Sequence, residues 1–182
     1  MHLERFVLKQ FPKEEHRPDI RITGTVGRRL NTLSIGYAVE GDLPHIAIPP
    51  PERSHQRKDR LWDKTCFELF VGAKGSERYW EFHFSPSGHW NVYCFTSYRK
   101  GMREEAAFTS LPFHTRMEAG AFRLHLDLAL GKILPGGQAL EAAVGVVVRS
   151  RTGTASHWAM AHPGLRPDFH RRDGFRMVLP AE

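Results

Sequence analysis

Apolar and polar residues alternate with a period of two along much of the chain. Ile20 and Ile22 alternate with Arg21 and Thr23, and Leu33, Ile35, Tyr37 and Val39 alternate with Thr32, Ser34 and Gly36. This spacing puts successive side chains on opposite faces of a strand, one face buried and the other wet. Residues 27–31 between the two runs offer a hairpin turn. Further on, residues 66–71, 78–84 and 91–98 are strand-like runs separated by the glycine-bearing turns GAKGS and SPSGH, which reads as a meander. Phe122, Leu124, Leu126 and Leu128 share one face, with Arg123, His125 and Asp127 on the other. Residues 142–149 are almost continuously apolar, as a strand covered on both faces should be. Residues 157–161 and 175–179 complete the set.

Between the strands, residues 45–48 read as a strand end stopped by Pro49, Pro50 and Pro51, because proline cannot donate to a sheet ladder. Residues 130–134 suggest a short helical turn, closed by Pro135, Gly136 and Gly137. Long helical periods and repeats are absent. The pattern therefore predicts an all-β fold: a single domain over residues 1–182, built as an antiparallel β-sandwich of two sheets, with a barrel as the second choice.

Length and composition agree with a folded domain. A chain of 182 residues can bury a core without disulfides or metals, and 41% hydrophobic residues exclude a disordered chain. No apolar run resembles a signal peptide or is long enough to span a membrane, so a cytoplasmic protein away from membranes is expected. Cys66 and Cys94 each sit in an apolar run and are expected to be buried, reduced thiols. The net charge of +6 permits an anionic partner. However, the basic residues are scattered, and the densest stretch, RSHQRKDR, follows three prolines and reads as a solvated loop. Nucleic acid is not an expected partner.

Candidate chemistry centres on Glu68 and Glu81, which interrupt aromatic and aliphatic strands. Alternation puts Cys66, Glu68 and Phe70 on one face, opposite Phe67, Leu69 and Val71. Likewise Tyr79, Glu81 and His83 lie opposite Trp80, Phe82 and Phe84. Adjacent strands of a meander pair, so the two glutamates can lie close together. A buried carboxylate is costly without a cation, donors or a ligand, so they either face water or have partners. Arg99 is expected to pair with Glu68 or Glu81 in a bidentate way. Trp62 and Trp158 sit in polar contexts and are candidate walls of a ligand site, whereas Trp80 reads as core.

Near the C-terminus, His157, His162, His170 and Asp168 lie within a short stretch, but no metal-binding spacing supports them as ligands. A loop held by hydrogen bonds is the plainer reading. No nucleophile elbow, phosphate loop, dinucleotide fingerprint or zinc motif occurs.

Several of these segments together resemble a known family. The run Leu61-Trp62-Asp63-Lys64-Thr65-Cys66-Phe67-Glu68-Leu69-Phe70 looks like the W-x-x-T-C-F-E-x-F signature of DOMON-like proteins, bacterial relatives of the family 9 carbohydrate-binding modules. Tyr79-Trp80-Glu81-Phe82, Phe84-Ser85-Pro86-Ser87-Gly88 and Tyr98-Arg99-Lys100-Gly101-Met102 continue the match in order. Trp158-Ala159-Met160-Ala161-His162-Pro163 and Pro167-Asp168-Phe169-His170 end it.

The resemblance implies a jelly-roll-like sandwich carrying a ligand site, not an established catalytic role. Related modules bind sugars through stacked tryptophans and polar side chains, and other DOMON domains bind haem. The expectation is thus a non-catalytic module for a small polar ligand, a sugar or sugar derivative. Glu68, Glu81 and Arg99 would form its polar floor and Trp62 and Trp158 its walls, with His162, Asp168 and His170 on an adjoining loop and Tyr98 also a ligand-binding residue. No cofactor is expected. The alternatives are a hydrolase using the Glu68/Glu81 pair, with carboxylates roughly 5–10 Å apart, and a haem module with Met102, Met160 or His162 as axial ligands.

Overall fold

The computed structural model describes residues 2–181. Thirteen strands follow in order: β1 (His2–Val7), β2 (Lys9–Gln10), β3 (Ile20–Arg29), β4 (Thr32–Gly41), β5 (Cys66–Ala73), β6 (Tyr79–Phe84) and β7 (Trp90–Phe95), then β8 (Arg103–Glu104), β9 (Phe113–Glu118), β10 (Ala121–Ala129), β11 (Leu140–Arg149), β12 (Ala155–Ala159) and β13 (Met177–Leu179). They form two sheets with antiparallel pairing throughout. The five-stranded sheet has the order β1-β3-β4-β10-β9, and the eight-stranded sheet runs β2-β12-β11-β5-β6-β7-β8 with β13 also paired to β11. β4 lies beside β10 and β5 beside β11, so the chain crosses between sheets as jelly rolls do. This is the expected β-sandwich.

Alternation explains which residues fill the space between the sheets. Ile22, Val26, Leu33, Ile35, Tyr37 and Val39 come from one side, and Phe67, Leu69, Val71, Trp80, Phe82, Phe84, Val92 and Val146 from the other. One hydrogen bond also crosses the core: the Tyr37 hydroxyl donates to the Glu68 carbonyl at 2.7 Å. The basic stretch before β5 is not simply solvated. Arg57 reaches in to the Asn91 side chain at 2.6 Å, and its guanidinium lies over the Trp90 ring.

Three local expectations are corrected. Residues 45–48 hold no strand; a 3₁₀ turn, Leu43–His45, precedes a single bridge from Ile46 to Ser150. The hairpin turn narrows to Leu30 and Asn31, between β3 and β4, and Leu30 takes φ 51°. β1 and β9 were not expected. Both are outer strands, and among their described side chains only Phe6 and Phe113 are buried, so neither shows a strong alternation.

The second face of the eight-stranded sheet positions the candidate site. Its middle strands are buried on both sides, because residues 160–176 and the 3₁₀ turn Leu61–Asp63 cover the outer face. There Phe70, Tyr79, Tyr93, Phe95, Ala143 and Phe175 make a second apolar cluster, with Trp62 and Phe169 packed against it.

Candidate ligand-binding site

A cavity of about 370 Å³ opens on this covered face. It is lined by Trp62, Glu68, Glu81, Phe95, Arg99, Met102, Val147, His157, Pro167, Asp168, Phe169 and His170. β5 and β6 supply the two glutamates. In their register Glu68 faces His83, and Glu81 faces Phe70, so the two carboxylates are diagonal neighbours on one face. Both are only 4% exposed.

His83 mediates between them. Its Nε2 is 2.8 Å from Glu81 Oε1 and 3.9 Å from Glu68 Oε1. Trp62 stands edge-on to the His83 ring at 5.3 Å and is tilted against Tyr93 at 6.0 Å. The Tyr93 hydroxyl in turn donates to Asp59 at 2.6 Å. On the loop side, His170 Nε2 lies 3.8 Å from Glu81 Oε1, and its Nδ1 shares a 2.9 Å hydrogen bond with the Tyr79 hydroxyl. That hydroxyl also accepts the Arg99 backbone N–H at 3.2 Å.

The expected pairing of Arg99 with Glu68 or Glu81 is not found; Arg99 pairs with Asp168 instead. Its guanidinium donates to Asp168 Oδ1 at 2.8 Å, and the Tyr98 hydroxyl donates to the other Asp168 oxygen. The reason is geometric: Arg99 sits in the turn after β7 with φ 53°, level with the loop rather than with the floor. Asp168 also accepts the His170 N–H at 3.1 Å, closing the loop over the cavity mouth. The strand approach from the other flank is also close. Gly145, across from Glu68 in β11, has no side chain where the Phe169 ring sits; an added Cβ would lie 2.7 Å from Phe169 Cδ2.

The charge states follow from this packing. Burial pushes the Glu68 carboxyl up to about 8, with His83 opposing the rise and Glu81 adding to it. Burial also works to raise Glu81, but the charge and hydrogen bond of His83, with help from His170 and Arg99, hold it below the usual carboxylate value. Burial would lower His83, yet Glu81 and Glu68 outweigh it and hold the imidazole above its ordinary value. His170 is held low, first by burial and then by the charges of Arg99 and His83, against the pull of Glu81 and Asp168. Burial thus favours the protonated form of Glu68, Glu81 and His83 favour each other's charged forms, and His170 is pushed toward its neutral form.

Trp62, Glu68, Glu81, Arg99, Asp168 and His170 all line the cavity. Tyr98 stands at the rim, half exposed, tied to Asp168. Two expected residues lie elsewhere. Trp158 is buried in the core between the sheets, where its indole N–H donates to Ser156 at 3.0 Å. Its strand alternates like the others, so Ser156 shares its buried face while His157 points the other way and reaches the cavity in its place. His162 lies against the Lys9 carbonyl at 2.7 Å and edge-on to Phe11, on another part of the surface. The C-terminal histidines and Asp168 therefore do not converge on a common point: His157 is held by Glu14 at 2.6 Å and His170 by Tyr79.

For the haem alternative, only Met102 of the three named ligands lines the cavity; Met160 packs against the core. For the hydrolase alternative, Glu68 and Glu81 stand side by side on neighbouring strands, with one oxygen of each within 4.8 Å, and both line the same cavity. Sequence reasoning missed Phe95, Val147, His157, Pro167 and Phe169, and gave His83 no role. His83 carried a usable signal, since it shares the Glu81 face. The remainder come together only through tertiary packing.

No protein-family model matches the chain, and no curated protein matches it. Solved structures do share its backbone arrangement. One is a proposed carbohydrate-binding protein from Bacteroides uniformis, with a TM-score of 0.69 and 12% identity, covering 96% of this chain and 84% of that one. A family 9 carbohydrate-binding module from Caldicellulosiruptor kristjanssonii in complex with glucose gives 0.49 at 13% identity, over 80% of this chain and 69% of that one. The same module family in complex with cellotriose gives 0.46 at 12% identity, over 87% and 72%. At such identities the likeness to the Bacteroides protein is one of fold: the two chains share a backbone arrangement.

Proposed function

We propose that this chain is a ligand-binding module of the DOMON-like kind and that its ligand is a sugar or sugar derivative. The observation that carries this reading is the composition of the cavity wall. Flat rings from Trp62, Phe95 and Phe169 stand beside a neutral carboxyl, a carboxylate, an imidazole and a guanidinium. Aromatic faces suit the C–H patches of a sugar ring, and clustered donors and acceptors suit its hydroxyls. A neutral Glu68 adds a donor that an ionised carboxylate lacks. The volume of about 370 Å³ is at the small end of the range for ligand sites, which favours one or two sugar rings over a polymer. The Bacteroides protein of like fold, named as carbohydrate-binding, agrees with this reading. A cytoplasmic setting belongs to the proposal as well, supported by the two buried cysteines, both free.

The test is a titration of mono- and disaccharides, including acidic and amino sugars, followed by tryptophan fluorescence and calorimetry. Saturable binding that is lost in Trp62→Ala supports the reading. Folded protein that answers to no sugar in the panel overturns it.

A further inference from the structure

The floor of the cavity holds a carboxyl, Glu68, whose nearest charged contact is a distant imidazole. Glu68 is only 4% exposed, yet its carboxyl group receives no hydrogen bond from any described residue. Its charged neighbour, His83 Nε2, is 3.9 Å away, beyond hydrogen-bond range, and is already bonded to Glu81 at 2.8 Å. Buried polar groups nearly always have partners, and a single imidazole cannot satisfy two neighbouring carboxylates. Glu68 lines the cavity, so a closer partner can reach it from there.

We propose that Glu68, Glu81 and His83 bind one divalent transition-metal ion of the zinc class. One donor atom from each lies within 4.8 Å of the other two. Oxygen and nitrogen ligands about 2.0–2.2 Å from zinc stand somewhat closer together than that, a contraction within reach of glutamate side-chain torsions. The imidazole decides the class of ion. Calcium and magnesium take oxygen donors almost alone, whereas zinc and its neighbours accept imidazole and carboxylate together. On binding, Glu68 would release its proton and His83 would turn from Glu81 to the ion as a neutral imidazole, leaving the dication to balance the two carboxylates. Three protein ligands leave a coordination position open toward the cavity, as in accessible rather than closed sites. A water or an oxygen of the cavity's occupant would fill it. His170 stands next, 3.8 Å from the same Glu81 oxygen, with its other ring nitrogen against Tyr79, the kind of contact that orients imidazoles near metals.

The proposal does not rest on the sugar reading, because metal uptake is measured without sugar. Full-length protein stripped with a chelator and dialysed would be titrated with Zn²⁺, Co²⁺ and Ca²⁺ by calorimetry, with the visible spectrum of the Co²⁺ form as a second readout. The expected result is one equivalent of Zn²⁺ or Co²⁺ and a cobalt spectrum of mixed nitrogen and oxygen coordination, with Ca²⁺ much weaker. Glu68→Gln and Glu81→Gln keep the side-chain shape, and each should weaken uptake at least about tenfold. Circular dichroism checks that both remain folded. No uptake by the wild type, or unchanged affinity in both folded variants, overturns the proposal. Protein that takes up the metal but no sugar would sink only the sugar reading.

Discussion

His83 stands directly across the strand pair from Glu68, yet it is bonded to Glu81, two residues before it on its own strand. That choice divides two similar carboxyls into different chemical states. His83 holds Glu81 toward its charged form, whereas at Glu68 burial outweighs the more distant imidazole and favours the proton.

The first prediction follows from the raised Glu68 carboxyl. The folded state holds its proton up to about 8, against an ordinary value of 4.5. Folding therefore gains proton affinity, and this contribution is fully present below the ordinary value and lost as pH rises through that window. In chelator, wild-type protein should lose stability between about pH 5 and pH 9 relative to Glu68→Gln, by more than about 1 kcal/mol. Denaturant unfolding of both proteins at several pH values measures it. A constant difference would mean that Glu68 is ionised throughout.

The two tryptophans first grouped together should separate sharply. Trp158→Ala empties part of the sandwich core and should cost about 3–5 kcal/mol. Trp62→Ala removes a partly exposed ring from the cavity wall and should cost about 1 kcal/mol, while abolishing the fluorescence response to ligand. Thermal melts and the sugar titration check both. Similar losses of stability would place Trp62 in the core instead.

What the sequence made legible was local. A period of two sorted Phe67, Leu69 and Val71 from Glu68 and Phe70, and the same rule put Trp80 inside and Glu81 on the other face. The rule also applies to β12, where Trp158 shares its face with Ser156 and His157 faces the cavity; there, composition was a poorer guide than alternation. The cover over the outer face has no such signature. His170 meets Glu81, and Phe169 meets Gly145, only because a long irregular loop folds back across the sheet, and no periodicity encodes that return.

Asp168 should control how firmly that loop is closed. Hydrogen bonds from Tyr98 and Arg99 hold its carboxyl below the usual value against the effect of burial, so the stabilisation is present above that value and lost as pH falls. Arg99 is about half exposed, so removing the pair should cost the whole domain no more than about 1 kcal/mol. The local effect should be larger. Hydrogen exchange in residues 163–171 should quicken in Asp168→Asn at neutral pH. Wild type should approach the variant only as pH falls below the usual aspartate value, when both are compared at the same pH. Equal exchange at neutral pH would mean that the loop is held by packing alone.

Gly145 and Phe169 offer the sharpest test of the cavity wall. A Cβ at position 145 would meet three ring atoms of Phe169 at 2.7 to 3.0 Å, so Gly145→Ala must move the ring. The ring cannot shift freely, because Phe70 and His157 also pack against it. Overpacking of this kind typically costs about 1–3 kcal/mol. Phe169→Ala alone should weaken ligand binding by removing part of the wall. In the double variant the clash is gone, so the cost of Gly145→Ala should fall well below its value in the wild-type background. A double-mutant cycle in denaturant measures that coupling. Strict additivity would show that Gly145 is small for a reason unconnected with Phe169.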